Sequence, residues 1–264
     1  MDTLKISISK ANSIRFAHID GLMPSFDNTL SGDESFKGKP KIKFKHTFFQ
    51  NDIVLVQLKA ELTATISFTS VGDSVVSIDA PTTTTFTDYI LYEYLCTFDN
   101  VGELYFYVTS ELSTWQSECI EVTAEDSELL LLQWSNLDPD VSTFEFDYST
   151  DLAIANVNFM RLAGEAMAYV PSGESTVYDN QNEKSIIKSS LFRGITVQLE
   201  KIPRPIAEVI TIALQHDLLV LNDVGYVSDK LPTINASGSE VQMTINLILK
   251  TALGFNTDDI GYTA

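Results

Sequence analysis

Histidine, cysteine and basic side chains are scarce in this 264-residue chain, and each shortage narrows what the protein does. Only His18, His46 and His216 are present, and no two of them have the spacing of a metal site. Cys96 and Cys119 form no Cys-x-x-Cys pair, and each lies in an alternating stretch that suits a small buried side chain. With 17 Lys and Arg against 36 Asp and Glu, the net charge of −19 repels phosphate and supplies no counterion release. Sequence-specific nucleic-acid binding is therefore not expected. No apolar run approaches the roughly 18 to 20 residues of a membrane-spanning helix, and Leu129 to Leu132 already ends at Gln133. The start, Met1-Asp2-Thr3-Leu4-Lys5-Ile6-Ser7, alternates in polarity and lacks the basic-then-apolar order of a signal peptide. No membrane insertion is expected, and a reducing cytoplasm would leave both thiols free.

Catalytic signatures are also missing. Glycine-rich phosphate loops and the Gly-x-Ser-x-Gly elbow do not occur. His216-Asp217 closes a predicted helix, where imidazole suits capping or packing. Acid pairs such as Asp138 with Asp140, or Glu145 with Asp147, are ordinary among 36 acids, and a glycosidase needs two facing across a cleft. Asp179-Asn180-Gln181-Asn182-Glu183 is half of a calcium-loop pattern, but Lys184 stands where that loop needs glycine. The expectation is a protein that is not an enzyme, with no catalytic residue, no metal site and no cofactor.

What the chain does have is strand-forming sequence. Apolar residues make up 44%, and 15 Phe and 10 Tyr with abundant Thr, Val and Ile favour a mainly β fold. Residues 1–38 read as one strand, Leu4 to Ser9, and an irregular arm. Residues 39–126 carry about seven short strands between turn residues, the pattern of an immunoglobulin-like β-sandwich without the antibody Cys-Trp-Cys spacing. Within them Glu61 to Ser70 alternates cleanly, Thr82 to Thr85 reads as a connection, and Gly102 to Ser110 with Trp115 to Val122 reads as a hairpin. Residues 127–264 read as an α+β domain with one helix packed on a sheet. Its strands are Leu129 to Trp134, Thr143 to Tyr148, Ile154 to Leu162, Ile195 to Lys201, Leu218 to Asn222 and Val241 to Lys250. The helix starts at Pro203-Arg204-Pro205 and carries Ile206, Ile210, Ala213 and Leu214 at helical spacing. The polar span 173–190 reads as an extended loop or arm of the kind that makes functional contacts.

Tyr105 and Tyr107 flank Phe106, so one set of this strand faces outward, and outward tyrosine is a hallmark of interfaces. With Trp115 and Tyr178 they are the candidate interface residues. Two groups of segments resemble virion structural proteins of tailed phages and prophages of Bacteroidetes-type hosts. The first is Phe48-Phe49-Gln50-Asn51-Asp52-Ile53-Val54-Leu55-Val56-Gln57 with the Gly102 to Val122 hairpin, including Trp115-Gln116-Ser117-Glu118. The second runs from Arg161-Leu162-Ala163-Gly164 through Val177-Tyr178-Asp179 and Ser189-Ser190-Leu191-Phe192-Arg193 to His216-Asp217. The resemblance implies a structural subunit of a bacteriophage tail, a ring, adaptor or baseplate component assembled in the bacterial cytoplasm. Its partners would be copies of itself in a ring and other virion proteins. A carbohydrate-binding or adhesin module, from the tyrosines, and a glycan hydrolase, from the acids, are the alternatives.

Overall fold

The computed structural model describes residues 6–19, 44–111, 113–125, 128–136, 146–180, 183–228, 230–237 and 240–249. The fold is mainly β, arranged in three sheets. In the first, β1 (Ile6–Ile8) pairs with β4 (Ile53–Ala60), and β4 with β8 (Ile90–Phe98). The other side of β8 takes β6 (Val76–Ile78) and β7 (Thr82–Thr85). In the second, β9 (Gly102–Thr109) has β5 (Ser67–Gly72) on one side. On its other side β10 (Thr114–Ser117) and β11 (Cys119–Thr123) run end to end. Then β2 (Phe16–Ile19) pairs antiparallel with β10, and β3 (Lys45–Phe49) pairs parallel with β11.

The two sheets close on one core because alternate residues of each point inward. Val54, Val56, Leu58, Tyr94, Cys96 and Phe98 from the first meet Phe48, Phe68, Leu104, Phe106, Val108 and Ile120 from the second. Phe48 stacks on Phe98 at 4.7 Å, and Phe68 on Phe106 at 5.0 Å. Several expectations change here. The expected strand Leu4 to Ser9 is present as β1 at Ile6–Ile8, but Phe16–Ile19, read as part of the irregular arm, is a strand of the second sheet, while 20–38 lie outside the described residues. Thr82 to Thr85 is a strand rather than a connection, since its backbone completes the ladder along β8. The Glu61 to Ser70 alternation starts in a turn, with Ala64 N–H donating to the Glu61 carbonyl at 2.9 Å, and becomes a strand only at Ser67.

The third sheet has the order β13 (Asn158–Leu162), β12 (Leu130–Ser135), β16 (Leu218–Leu221), β17 (Val224–Ser228), β19 (Glu240–Leu249), β15 (Glu183–Pro203) and β14 (Glu165–Asn180). A further strand, β18 (Thr233–Ser237), pairs with the first half of β19. Asn222 and Asp223, both at positive φ, make the tight turn between β16 and β17. On one face lies a helix, Arg204–Ala213, whose Ile206, Ile210, Ala213 and Leu214 are buried as their spacing predicts. They join Leu132, Trp134, Leu199, Met243 and Ile245 in one core.

A second, short helix, Asp151–Ala155, stands where a strand from Ile154 was expected; these two are α1 and, for Arg204–Ala213, α2. Thr150 starts α1 by accepting from the Ala153 N–H, and the strand begins only at Asn158. Of the predicted strand Thr143 to Tyr148, residues 143–145 lie outside the described residues; Phe146 makes an isolated β-bridge, and Phe146 and Tyr148 pack against Leu55 of β4.

The third sheet and the two-sheet unit are locked together. Phe159 of β13 sits edge-on to Phe48 at 5.4 Å and belongs to the two-sheet core. Its neighbour Arg161 lies 3.7 Å over the Phe49 ring and pairs bidentately with Asp52 in the turn after β3. Ser13 Oγ accepts from the Phe159 N–H at 2.8 Å, and Trp134 Nε1 donates to the Ala11 carbonyl at 3.1 Å. On the outer face of the first sheet, Gln57 pairs like a peptide with Asp147. Its amide donates to the Asp147 carbonyl at 2.9 Å and its Oε1 accepts from the Asp147 N–H at 2.6 Å. The relation between the two halves is thus fixed by buried contacts at two places.

Candidate functional site

The outer face of the second sheet carries two of the expected interface residues. Along β9, Leu104, Phe106 and Val108 are buried, so Tyr105 and Tyr107 face away from the core and are half-buried. Register places Thr69 of β5 opposite Tyr107 and Val71 opposite Tyr105. Val71 is 60% exposed. On the other flank Lys45 Nζ holds Glu103 at 2.6 Å and Glu121 at 3.1 Å, tying β3, β9 and β11 across the sheet. These two carboxylates raise the Lys45 pKa, so the amine stays charged at any physiological pH. The Tyr105 hydroxyl is pushed up to about 12, first by its hydrogen bond with Cys119 and then by burial. The face therefore presents two tyrosines, threonine, valine and a cluster of one lysine with two glutamates. Beside it, a shallow hollow of about 630 Å³ is lined by Thr47, Glu121, Glu125 and Glu128. Among the described residues, no three His, Cys, Asp or Glu come together as a metal site.

Trp115, expected at the same surface, lies on the opposite side of its strand. It pairs with Val108 and packs against the two-sheet core, half-buried. The cause is a one-residue offset at Ser117-Glu118: Gln116 aligns with Tyr107, but Ile120 aligns with Leu104. A single extra residue exchanges the two faces of a strand. Ser117 Oγ fills the irregularity, accepting from the Phe106 N–H at 2.8 Å and donating to the Glu118 carbonyl. Glu118 turns inward to His46 Nε2 at 3.0 Å and to Arg15 at 3.2 Å, a buried charged group that sequence spacing could not reveal. Both thiols are free and buried, and burial raises the pKa of each.

Tyr178 stands near the end of a long hairpin, where its backbone is in register with Ser185. Of the span 173–190, expected as a loop or arm, the described residues form a ladder of paired strands. β14 and β15 pair from Glu165 with Gln198 out to Asn180 with Glu183, yet β15 meets β19 only from Gly194 to Pro203. Beyond Gly194 the ribbon leaves the sheet, about 34 Å long for ten extended residues. Among the described residues, no strand pairs with either outer edge of that projecting part. His216, the remaining sequence candidate, is buried at the end of α2, donating from Nδ1 to the Ile212 carbonyl at 3.0 Å. Burial lowers its pKa, and its ring stands edge-on to Tyr148.

No family model, curated protein or solved structure matches the chain.

Proposed function

We propose that this protein is a structural subunit of a bacteriophage tail, a ring, adaptor or baseplate component that works by assembling with copies of itself and other virion proteins. The observation that carries the reading is the β14–β15 ribbon, which leaves the sheet with both edges unpaired among the described residues. Two strands alone are marginal in water, so a ribbon of this length gains its stability from something it meets. The virion-like segments named above supply the phage context, and they include two ribbon segments, Val177-Tyr178-Asp179 and Ser189 to Arg193.

The finer reading of the fold belongs to the same proposal. The first half is an immunoglobulin-like sandwich, supported by the order β1-β4-β8-β6 in one sheet and by β3 running parallel to β11 in the other. That is the ABED and CFG arrangement, with the first strand switching sheets. The second half is an α+β domain, supported by α2 lying on its antiparallel sheet. Electron microscopy of the purified full chain at high concentration is expected to show rings or stacked rings. Immunogold labelling of the phage particles is expected to mark the tail. A strictly monomeric protein with unlabelled tails would remove the reading.

Tyr105 and Tyr107, side by side on an outer face, favour carbohydrate binding as the second reading. A glycan array on which binding is lost in Tyr105→Ala and Tyr107→Ala would support it, and a blank array would dismiss it.

A further inference from the structure

Natural sheets guard their free edges with charge, proline, bulges or brevity. The outer edge of β5 has none of the first three. Ser67-Phe68-Thr69-Ser70-Val71-Gly72 contains no charged residue and no proline, and its register with β9 runs unbroken from Ser67 to Gly72. Thr69 and Val71 are exposed, and no strand pairs with its other side among the described residues. This is an edge prepared to receive a strand.

Charge identifies the strand it receives. Residues 6–125, the two-sheet half, hold sixteen Asp and Glu against eight Lys and Arg, so two copies of this half repel each other. Residues 168–193 instead carry Glu174, Asp179 and Glu183 balanced by Lys184, Lys188 and Arg193. The ribbon is a neutral segment with three cations, able to approach the acidic half without that repulsion. Among the described residues no strand pairs with either outer edge of its projecting part, which leaves both edges for strand addition.

We infer that the free edge of β5 receives the β14–β15 ribbon of a second copy by strand addition. This rests on the subunit reading above and names its contact. Donor and acceptor are different surfaces of one chain, so the contact is head-to-tail and repeats from copy to copy. The locked joint between the halves holds donor and acceptor at one fixed angle, the condition for a ring that closes.

The test uses the full chain. Copies carrying Val71→Cys are mixed with copies carrying Ser189→Cys under mild oxidation, the native thiols being buried. A disulfide between the two variants is expected in the mixture. In parallel, sedimentation compares wild type with Thr69→Lys/Val71→Lys and with a chain in which Ser172 to Phe192 is replaced by Asn-Gly. Both variants are expected to need at least about tenfold more protein to associate. If wild type assembles but no mixed disulfide forms and both variants assemble like wild type, the ribbon contact is wrong and the subunit reading stands. If wild type stays monomeric at every concentration, both fail.

Discussion

Replacing Phe159 by alanine should uncouple the two halves of the molecule. The side chain is 8% exposed, stands on a strand of the third sheet, and packs into the core of the other two against Phe48. Truncating a buried phenylalanine costs about 3 to 5 kcal/mol, here charged to a contact that both halves share. For a chain of this size that lowers the melting temperature by roughly 6 to 20 °C. The two tryptophans make the uncoupling visible, because Trp115 reports on the two-sheet unit and Trp134 on the third sheet. In Trp115→Phe and Trp134→Phe backgrounds, each with one fluorophore, wild-type Phe159 should give one coincident urea transition. Adding Phe159→Ala should separate the two midpoints, with the third sheet and the two-sheet unit unfolding at different urea concentrations. A loss under about 1 kcal/mol with coincident curves would refute the shared core, since so small a cost is not that of a filled buried site.

Glu93 is buried, and burial raises its carboxyl pKa although Thr150 and Gln57 both donate to it. The folded state then keeps this proton to higher pH than the unfolded chain, so the group's contribution falls as pH rises from the ordinary carboxylate range to its folded value. Glu93→Gln should therefore gain stability relative to wild type as pH rises above the ordinary carboxylate range, read from urea midpoints, and a pH-independent difference would contradict this. Ile210→Asp should cost at least about 3 kcal/mol by placing a carboxylate under α2, and unchanged melting would mean that the helix does not pack on the sheet. At Gly72 a Cβ would lie 2.2 Å from the Glu103 carbonyl oxygen, so Gly72→Ala should lose about 1 to 3 kcal/mol in denaturant titration, and a neutral result would place β5 differently. Cys96 and Cys119 should react with a thiol reagent only in denaturant, and fast labelling of the native chain would show that one of them is accessible.

Elements that bury one face were legible in the sequence. β19 alternates Val241, Met243, Ile245 and Leu247 inward with Gln242 and Asn246 outward, and α2 shows its start at Pro203-Arg204-Pro205 and its buried stripe at helical spacing. Composition alone required a mainly β chain. Burial leaves a periodic mark because it selects apolar residues at fixed intervals. Where nothing of the parent sheet covers a strand, that mark is missing. The projecting part of β14 and β15 is polar in sequence and read as a loop, and Thr82 to Thr85 is held only by its ladder to β8. α1 is too short for a period to show. Pairing between distant segments is likewise silent in sequence. One extra residue at Ser117-Glu118 turned Trp115 into the core while Tyr105 and Tyr107 stayed outside. Phe159 entered a core belonging to residues 37 to 153 positions earlier, from Val122 back to Ile6. Sequence determined which segments have a face to bury; tertiary structure decided which faces meet and which backbone edges remain open, because those depend on register and long-range packing rather than on local composition.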